Sequence, residues 1–328
     1  ETTIILWNFF RPDYTTGAQN RVFCFIFKFS DFKCIREKTF YTIITYIPIM
    51  RKQLFVLSVA LILLIVLSVF TLSKPNTDRV PATNGKAKEP VPVIIPAHAV
   101  EIADNVFSLG TARDVDGSVV EGIMIIDKKE NAKPPWAGGG GGGSTTTCFS
   151  FLATGAKWKT IELWVVNPTN TGGLDSGFVQ NNVVGDIQKW EDASSTNILG
   201  DGGTTSVVLV ADQSSPDGVN EIYFGDVDSA GAIAVTIVWG IFSGPPKSRK
   251  LVEWDQVYDN VDYNWSSAGE ANKMDFENIA THEIGHSVGM GHPPDECIDE
   301  TMYRFADYGE TGKRDLNSGD IAGINDLY

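Results

Sequence analysis

The chain has 328 residues, 43% of them hydrophobic, so it can bury one sizeable core or fold as two average domains. Its formal net charge of −15 excludes the usual nucleic-acid-binding surface, which requires clustered Lys and Arg. An acidic surface fits a soluble extracellular protein, with calcium binding as one explanation of the charge and plain solubility as the other.

The first 49 residues precede the first methionine, Met50, and contain eight of the eighteen Phe residues without a recognisable turn sequence. We expect translation to begin at Met50 and residues 1–49 to be an upstream extension without regular structure. The alternative is a genuine segment next to a membrane.

A basic start, Met50-Arg51-Lys52, precedes an apolar run over 54–69, an order typical of an export signal. The apolar segment 54–72 is about as long as the ~20 residues that span a bilayer, and no Ala-x-Ala cleavage sequence follows it. Residues 50–73 are therefore either a cleaved signal peptide or a membrane anchor. In both cases we expect the rest of the chain to lie outside the cytoplasm.

Residues 74–136 combine a polar, Pro-containing linker with two strand patterns on either side of Asp116-Gly117, which predicts a small β pro-segment. Residues 137–147 include six consecutive glycines, which favour a flexible linker because a fixed glycine loses much conformational entropy. The main domain is thus expected at 148–328.

The main domain alternates strand and helix patterns. A helix capped by Asp175 is predicted after the first strand, a second helix begins near Asp275, and a last helix follows the Asn317-Ser318 cap. The predicted strands are 161–166, 207–210, 221–224, 232–239 and 251–258. This order predicts an α+β fold.

The second helix carries HExxHxxGxxH at residues 282–292, where three of the four histidines of the chain lie. His282 and His286 are four residues apart and share one helix face, so both imidazoles can bind one metal ion. Gly289 can adopt a positive φ, which lets the chain turn and bring His292 to the same ion. Three imidazoles leave one tetrahedral position open for water, which predicts a catalytic zinc site.

Glu283 directly follows the first of these histidines. A carboxylate there can take the proton of a zinc-bound water during attack on a carbonyl and pass it to the departing amine. The predicted reaction is therefore hydrolysis of a peptide bond, with Glu283 as the catalytic residue.

The extended motif resembles that of the metzincin metalloendopeptidases. In that clan a methionine-containing turn lies under the zinc, and Thr301-Met302-Tyr303 is similar to this Met-turn. Residues 302–303 and 320–328 are most similar to the matrixins, or M10 peptidases. Pro293 is a serralysin-like feature, and Arg304 replaces the proline expected after the turn tyrosine.

The resemblance covers about residues 148–328 and implies a metzincin-like zincin domain, with a twisted mixed sheet of about five strands, three helices and a zinc cleft. It implies that an edge strand pairs with the extended substrate and that the loop after the Met-turn lines a side-chain pocket. The substrate-binding residues expected on this basis are Ile233, Ala234, Val235, Tyr303 and Arg304.

Matrixins use several histidines for a second zinc, but only His98 remains here, so one zinc is expected. An accessory metal would be Ca²⁺, for which the candidate ligands are Asp212, Asp217, Asp226 and Asp228, although all four could equally be turn residues.

Residues 73–147 contain no cysteine, so the cysteine that a matrixin pro-segment presents to zinc is missing. Cys148 and Cys297 are the cysteines of the main domain, and in an oxidising compartment we expect a disulfide between them.

These observations predict a secreted or membrane-anchored zinc endopeptidase that acts as a monomer on protein or peptide substrates, without nucleic acid. The alternative is a non-catalytic cell-surface binding module on a metzincin fold.

Overall fold

The computed structural model describes residues 91–129 and 147–328 with their side chains, and the backbone of three strands nearer the N-terminus. The chain divides into two units, Glu1–Asn84 and Gly85–Tyr328. The proposed signal or anchor at 50–73 and the glycine run lie outside the described residues. No helix in the described part of the chain has the length and apolar character needed to cross a bilayer.

The described part of the first unit is an antiparallel sheet of β1 (Leu6–Pro12), β2 (Gln19–Ile26) and β3 (Phe32–Arg36). These strands differ from the expectation that residues 1–49 lack regular structure. The physical reason is composition, because aromatic and β-branched residues, which dominate this stretch, favour strands.

The second unit is built around a nine-stranded mixed sheet. Its strands are β4 (Val100–Ala103), β5 (Val106–Arg113), β6 (Val119–Lys129), β8 (Glu162–Asn167), β9 (Leu199–Thr204), β10 (Asn220–Gly225), β11 (Ala232–Ile241), β12 (Lys250–Asp259) and β16 (Phe305–Ala306). Their order in the sheet is β4-β5-β6-β11-β12-β10-β8-β9, and β16 pairs with β6. Two short ladders lie outside it: β7 (Ser150–Phe151) with β15 (Met290–Gly291), and β13 (Trp265–Ser266) with β14 (Met274–Asp275).

Strands β8 to β12 correspond to the five-stranded sheet expected for the main domain. Within this group β11 is antiparallel to β12, whereas the other neighbours are parallel, so the sheet is mixed as predicted. The predicted strand at 207–210 is absent, and β9 takes its place at Leu199–Thr204. Sequence patterns missed β9 because its three glycines hide the usual strand composition.

The segment before the glycine run does not form a separate β unit. Strands β4, β5 and β6 continue the sheet of the main domain, and β6 pairs antiparallel with β11 along most of its length. Residues 123–126 of β6 are Ile-Met-Ile-Ile and all are buried. A run that is apolar on both faces is typical of an interior strand, and β6 accordingly lies between β5 and β11.

Three α-helices occur in the described residues: α1 (Ser176–Ser194), α2 (Phe276–Ser287) and α3 (Ser318–Leu327). The predicted cap of α1 is confirmed, since the side chain of Asp175 accepts a hydrogen bond from Phe178 N at 2.9 Å. Helix α2 begins next to Asp275 as predicted, and the side chain of Asp275 caps it by accepting a hydrogen bond from Asn278 N at 3.1 Å. Helix α3 begins directly after Asn317, also as predicted. The expected fold class, an α+β domain with a mixed sheet and three helices, is confirmed.

Two apolar clusters stabilise this unit. The larger contains Trp190, Trp254 and Phe276 and joins the helices to the sheet. The smaller contains Met124 and Trp239, so strand β6 contributes to the core of the main domain. The expected disulfide between Cys148 and Cys297 is present and closes a loop across 149 residues.

Candidate metal centre

Helix α2 places the first two imidazoles, and the turn after it places the third. His282 and His286 are completely buried on one helix face. Gly289 has φ 101°, and a Cβ there would lie 2.8 Å from the carbonyl oxygen of Ala156, so this position requires glycine. The chain then reverses into β15, and His292 returns to the same point as predicted.

The Nε2 atoms of the three imidazoles converge. Nε2 of His286 lies 3.1 Å from Nε2 of His282 and 3.2 Å from Nε2 of His292. The other ring nitrogens of the helical pair contact carbonyl oxygens: Nδ1 of His282 lies 2.6 Å from Thr301 O, and Nδ1 of His286 lies 3.0 Å from Met290 O. Since a carbonyl only accepts hydrogen bonds, each Nδ1 carries a proton, and Nε2 is the nitrogen that remains to bind a metal ion or a second proton.

This donor set fits a zinc ion. Ligand atoms bound at 2.0–2.1 Å in a tetrahedron lie about 3.4 Å apart, close to the observed separations. Burial, followed by the neighbouring imidazoles, holds the pKa of His286 well below its ordinary value, and burial lowers the pKa of His292. Neutral imidazoles with converging lone pairs are the form that binds a cation.

A fourth group, which the sequence analysis did not identify, lies among the imidazoles. Asp127, near the end of β6, places Oδ2 at 2.8 Å from Nε2 of His282 and Oδ1 at 3.2 Å from Nε2 of His292. Burial alone would raise the pKa of this carboxyl, but His282 and His292, when protonated at Nε2 in the absence of a metal, outweigh burial through their charges and hydrogen bonds and hold the pKa well below its ordinary value. The four side chains thus form one potential metal-binding cluster.

Glu283 points into the same region from α2 and is fully buried. The hydroxyl of Thr236, on β11, donates a hydrogen bond to Glu283 Oε2, while Oε1 has no hydrogen-bond partner among the described residues. Burial, and then the carboxylate of Asp127, raises the pKa of Glu283 well above its ordinary value. Thr236 is a second residue that no sequence pattern identified.

Met302 packs beneath helix α2 as a Met-turn residue would. A Cβ added to Gly285 would lie 2.2 Å from Met302 Sδ, so only glycine allows this approach. Asp320 of α3 fixes the turn, because its carboxylate accepts hydrogen bonds from Thr301 N at 2.7 Å and from Met302 N at 3.1 Å. The same turn supplies the carbonyl that orients the imidazole of His282.

The predicted substrate-binding residues are not exposed in an open cleft. Residues 233–235 are buried in β11, which is paired with β12 on one side and with β6 on the other. Tyr303 is buried, and its carbonyl accepts a hydrogen bond from Lys313 Nζ. Arg304 forms ion pairs with Asp104 and, at 2.6 Å, with Asp295.

A second group of carboxylates lies at a distinct part of the sheet. Oxygens of Asp212, Glu253 and Asp255 lie within 4.8 Å of one another. Asp212 Oδ2 and Glu253 Oε1 have no hydrogen-bond partner in the described part of the chain. Of the four calcium candidates, only Asp212 belongs to this group. Burial, and then the nearby charge of Asp217, raises the pKa of Asp212 to about 6.

Comparisons with known proteins agree with this geometry. The matrixin family profile matches residues 245–328, about the last quarter of the chain. Metalloendoproteinase 2-MMP of Arabidopsis thaliana is 28% identical over 150 residues, which are 43% of this chain and 34% of that protein. Matrilysin of Rattus norvegicus is 36% identical over 74 residues, which are 23% of this chain and 26% of that protein. The chain thus spans about a third or less of the length of these relatives.

Among solved structures, metalloproteinase-II from Bacteroides fragilis is 12% identical, with coverage of 69% of this chain and 80% of that chain. The TM-score of this match is 0.28. The helices, the mixed sheet and the matched motif define an α+β domain consistent with a metzincin fold. Residues 245–328 are thus similar to the matrixins, the M10 peptidases, and parts of the chain are similar to the two metalloproteinases named above.

Proposed function

We propose that this protein is a zinc endopeptidase that hydrolyses peptide bonds of proteins or peptides, with His282, His286 and His292 as its zinc ligands. One observation carries the proposal: three converging Nε2 atoms and a buried carboxylate, Glu283, lie on one helix and its following turn. The matrixin-like sequence of residues 245–328 supports the same function.

Zinc, when bound, would polarise the substrate carbonyl and lower the pKa of an attacking water toward ~7. Glu283 would accept the proton of that water and transfer it to the departing amine. The hydrogen bond from Thr236 fixes Oε2 of Glu283 and so orients its other oxygen. Met302 and Asp320 would position the helix and the imidazole of His282 from below.

We further propose that the domain functions outside the cytoplasm, either secreted or anchored through residues 54–72. The disulfide between Cys148 and Cys297 supports this location, because such bonds persist in oxidising compartments. Expression from Met50 in eukaryotic cells should place the protein in the medium or in the membrane fraction. Cytosolic protein with both thiols free would contradict this location.

We also propose that calcium binds the carboxylates of Asp212, Glu253 and Asp255. The supporting observation is that two buried oxygens in this group have no hydrogen-bond partner in the described part of the chain. Ca²⁺ prefers several carboxylate and carbonyl oxygens, which this group can offer.

The experiment that tests the protease function replaces residues 138–143 with the recognition sequence of a site-specific protease. The chain is cut there and diluted so that the N-terminal piece can dissociate, because β6 lies along β11 in the intact protein. A broad peptide library is then offered to this protein and to its Glu283→Ala variant. Both should contain about one zinc per chain, and the variant should lose at least ~10²-fold in activity because it lacks the general base.

Glu277→Ala, at the first turn of the same helix, is the matched control and should retain activity. A zinc-loaded parent that leaves the whole library intact after cutting and dilution would instead favour the non-catalytic binding module.

A further inference from the structure

Strand β6 covers β11, the strand that carries the expected substrate-binding residues 233–235. Strand β11 has β12 on one side, and its other side is covered by β6 in antiparallel register, with Val235 opposite Ile126 and Ala234 opposite Asp127. An extended peptide can bind a sheet only where backbone N–H and C=O groups are unpaired. Because β6 satisfies these groups, the intact chain offers no free edge at β11.

The same strand brings a carboxylate to the imidazoles. The two oxygens of Asp127 lie 2.8 Å from Nε2 of His282 and 3.2 Å from Nε2 of His292, and the side chain is only 5% exposed. Three imidazoles and one carboxylate complete a four-coordinate zinc site. A site of this kind has no position left for water, so its donor set is that of a closed rather than a catalytic centre.

Several contacts along β6 hold it in place. At its start, the carboxylate of Glu121 accepts hydrogen bonds from Phe242 N at 2.8 Å and Ser243 N at 2.9 Å. At its end, Lys129 forms an ion pair with Asp307 at 3.1 Å, and residues 128–129 pair with β16. Between these points Met124 is fully buried, and burial of a side chain of this size contributes about 1.5–3 kcal/mol.

We infer that Asp127 is the fourth ligand of the proposed zinc ion and that β6 occupies the substrate's strand position, so the intact chain is held inactive by its own segment. This inference rests on the proposed function, because it concerns the same metal and the same cleft. It also supplies a source of latency in a chain whose residues 73–147 contain no cysteine.

The ligand role of Asp127 can be tested without measuring activity. Cobalt(II) can replace zinc in such sites, and its visible absorption depends on the ligands and their geometry. In the intact parent, the cobalt spectrum should not change between pH 5.5 and 8.5. In Asp127→Ala, water should replace the carboxylate, and the spectrum should titrate with a midpoint near ~7.

Asp116→Ala is the matched control, because this carboxylate belongs to the exposed turn before β6 and should leave the spectrum of the parent unchanged. A pH-dependent spectrum in the parent, or the same pH-independent spectrum in Asp127→Ala, would overturn the ligand assignment. Failure of the parent and of Asp127→Ala to bind any metal would instead refute the proposed function on which the inference rests.

The strand role of β6 needs a second measurement. In the intact Asp127→Ala chain, peptide cleavage should stay low because β6 still covers β11, whereas the chain cut at 138–143 should become active on dilution as the N-terminal piece dissociates. A fluorophore on that piece reports its dissociation constant independently of activity. Asp127→Ala should raise this constant at least ~10-fold, since even outer-shell partners of a metal contribute 10–100-fold.

Two results would overturn the strand role. One is cleavage of the library by the intact Asp127→Ala chain at the rate of the cut and diluted protein. The other is that the N-terminal piece dissociates without any gain in activity, although separate experiments have shown that the domain cleaves peptides and that this cleavage requires Glu283.

Discussion

Two groups of buried carboxylates in the second unit have opposite electrostatic surroundings. Asp127 faces three imidazoles, whereas Asp212, Glu253 and Asp255 face one another. The histidines lower the pKa of Asp127, while burial and then neighbouring carboxylates raise the pKa of Asp255 well above its ordinary value. A buried acid therefore stays ionised only where cationic or hydrogen-bonding partners outweigh its loss of hydration.

The difference also indicates how each group would respond to a metal. The imidazole group already contains neutral donors, so one zinc ion completes it. In the acidic group, the mutual repulsion and the unpaired oxygens are relieved only by protons or by a cation. We therefore expect zinc to determine the structure at the first group, and calcium to change the pH dependence of stability at the second.

The largest effect should follow removal of a central imidazole. His286→Ala should reduce the zinc content from about one per chain to almost none after dialysis, as measured by mass spectrometry of the metal. A ligand at a thousandfold excess over its dissociation constant stabilises a protein by about 4 kcal/mol, so the variant should also unfold at a lower temperature. His98→Ala removes an exposed histidine and is the control that should retain both properties.

The next effect concerns pH. Burial raises the pKa of Glu221, which borders the acidic group, to about 8 from an ordinary value of 4.5. Below pH 4.5 this group is protonated in both states and has no effect. Between about 4.5 and 8 the folded state retains a proton that the unfolded state releases, so stability should fall by up to ~1.4 kcal/mol per pH unit.

The expectation is checked by thermal unfolding. All metal is first removed with a chelator, and either zinc alone or zinc together with calcium is then added back. Calcium should raise the unfolding temperature more at pH 8 than at pH 5. Equal shifts at the two pH values would argue against a calcium ion bound by these carboxylates.

A smaller effect should follow neutralisation of one member of the acidic group. Glu253→Gln keeps the size of a buried side chain whose pKa is raised by burial, and it removes the repulsion toward Asp212. Without calcium, this variant should be more stable than the parent at pH 8, and calcium should no longer stabilise it. Asp201→Asn changes an exposed carboxylate and should leave the calcium effect intact. If calcium stabilised Glu253→Gln as much as it stabilises the parent, Glu253 would be excluded as a calcium ligand.

The smallest effect is expected for Arg304, whose partners Asp104 and Asp295 are partly exposed. Partly exposed ion pairs contribute about 0.2–1 kcal/mol, so Arg304→Ala should weaken retention of the N-terminal piece in the cut protein by at most ~5-fold. Arg249→Ala, which removes hydrogen bonds to backbone carbonyls only, provides the comparison. A much larger change would mean that Arg304 contributes more than these ion pairs.

The metal motif could be predicted because its geometry is local. Spacing along one helix places His282 and His286 on the same face, and Gly289 places His292, so the convergence of three imidazoles follows from eleven consecutive residues. The helix cap at Asp175 and the helix start near Asp275 are equally local, and both are confirmed.

Asp127 and Thr236 could not be predicted in the same way. Asp127 lies 165 residues before His292, and only the pairing of β6 with β11 brings the two together. Strand pairing depends on which distant edge a strand meets, and the apolar sequence of β6 fits any interior position. The Met-turn could be located only through its similarity to a known family, because a single buried methionine has no distinctive spacing of its own.

The disulfide between Cys148 and Cys297 has a topological consequence. It closes the chain into a covalent ring that contains β8 to β12, both helices α1 and α2, all three imidazoles and Glu283. Asp127 is outside this ring, on the part of the chain that precedes it. A single break anywhere between residues 130 and 147 would therefore leave the proposed catalytic groups in one continuous piece and turn the carboxylate that faces them into part of a separate molecule.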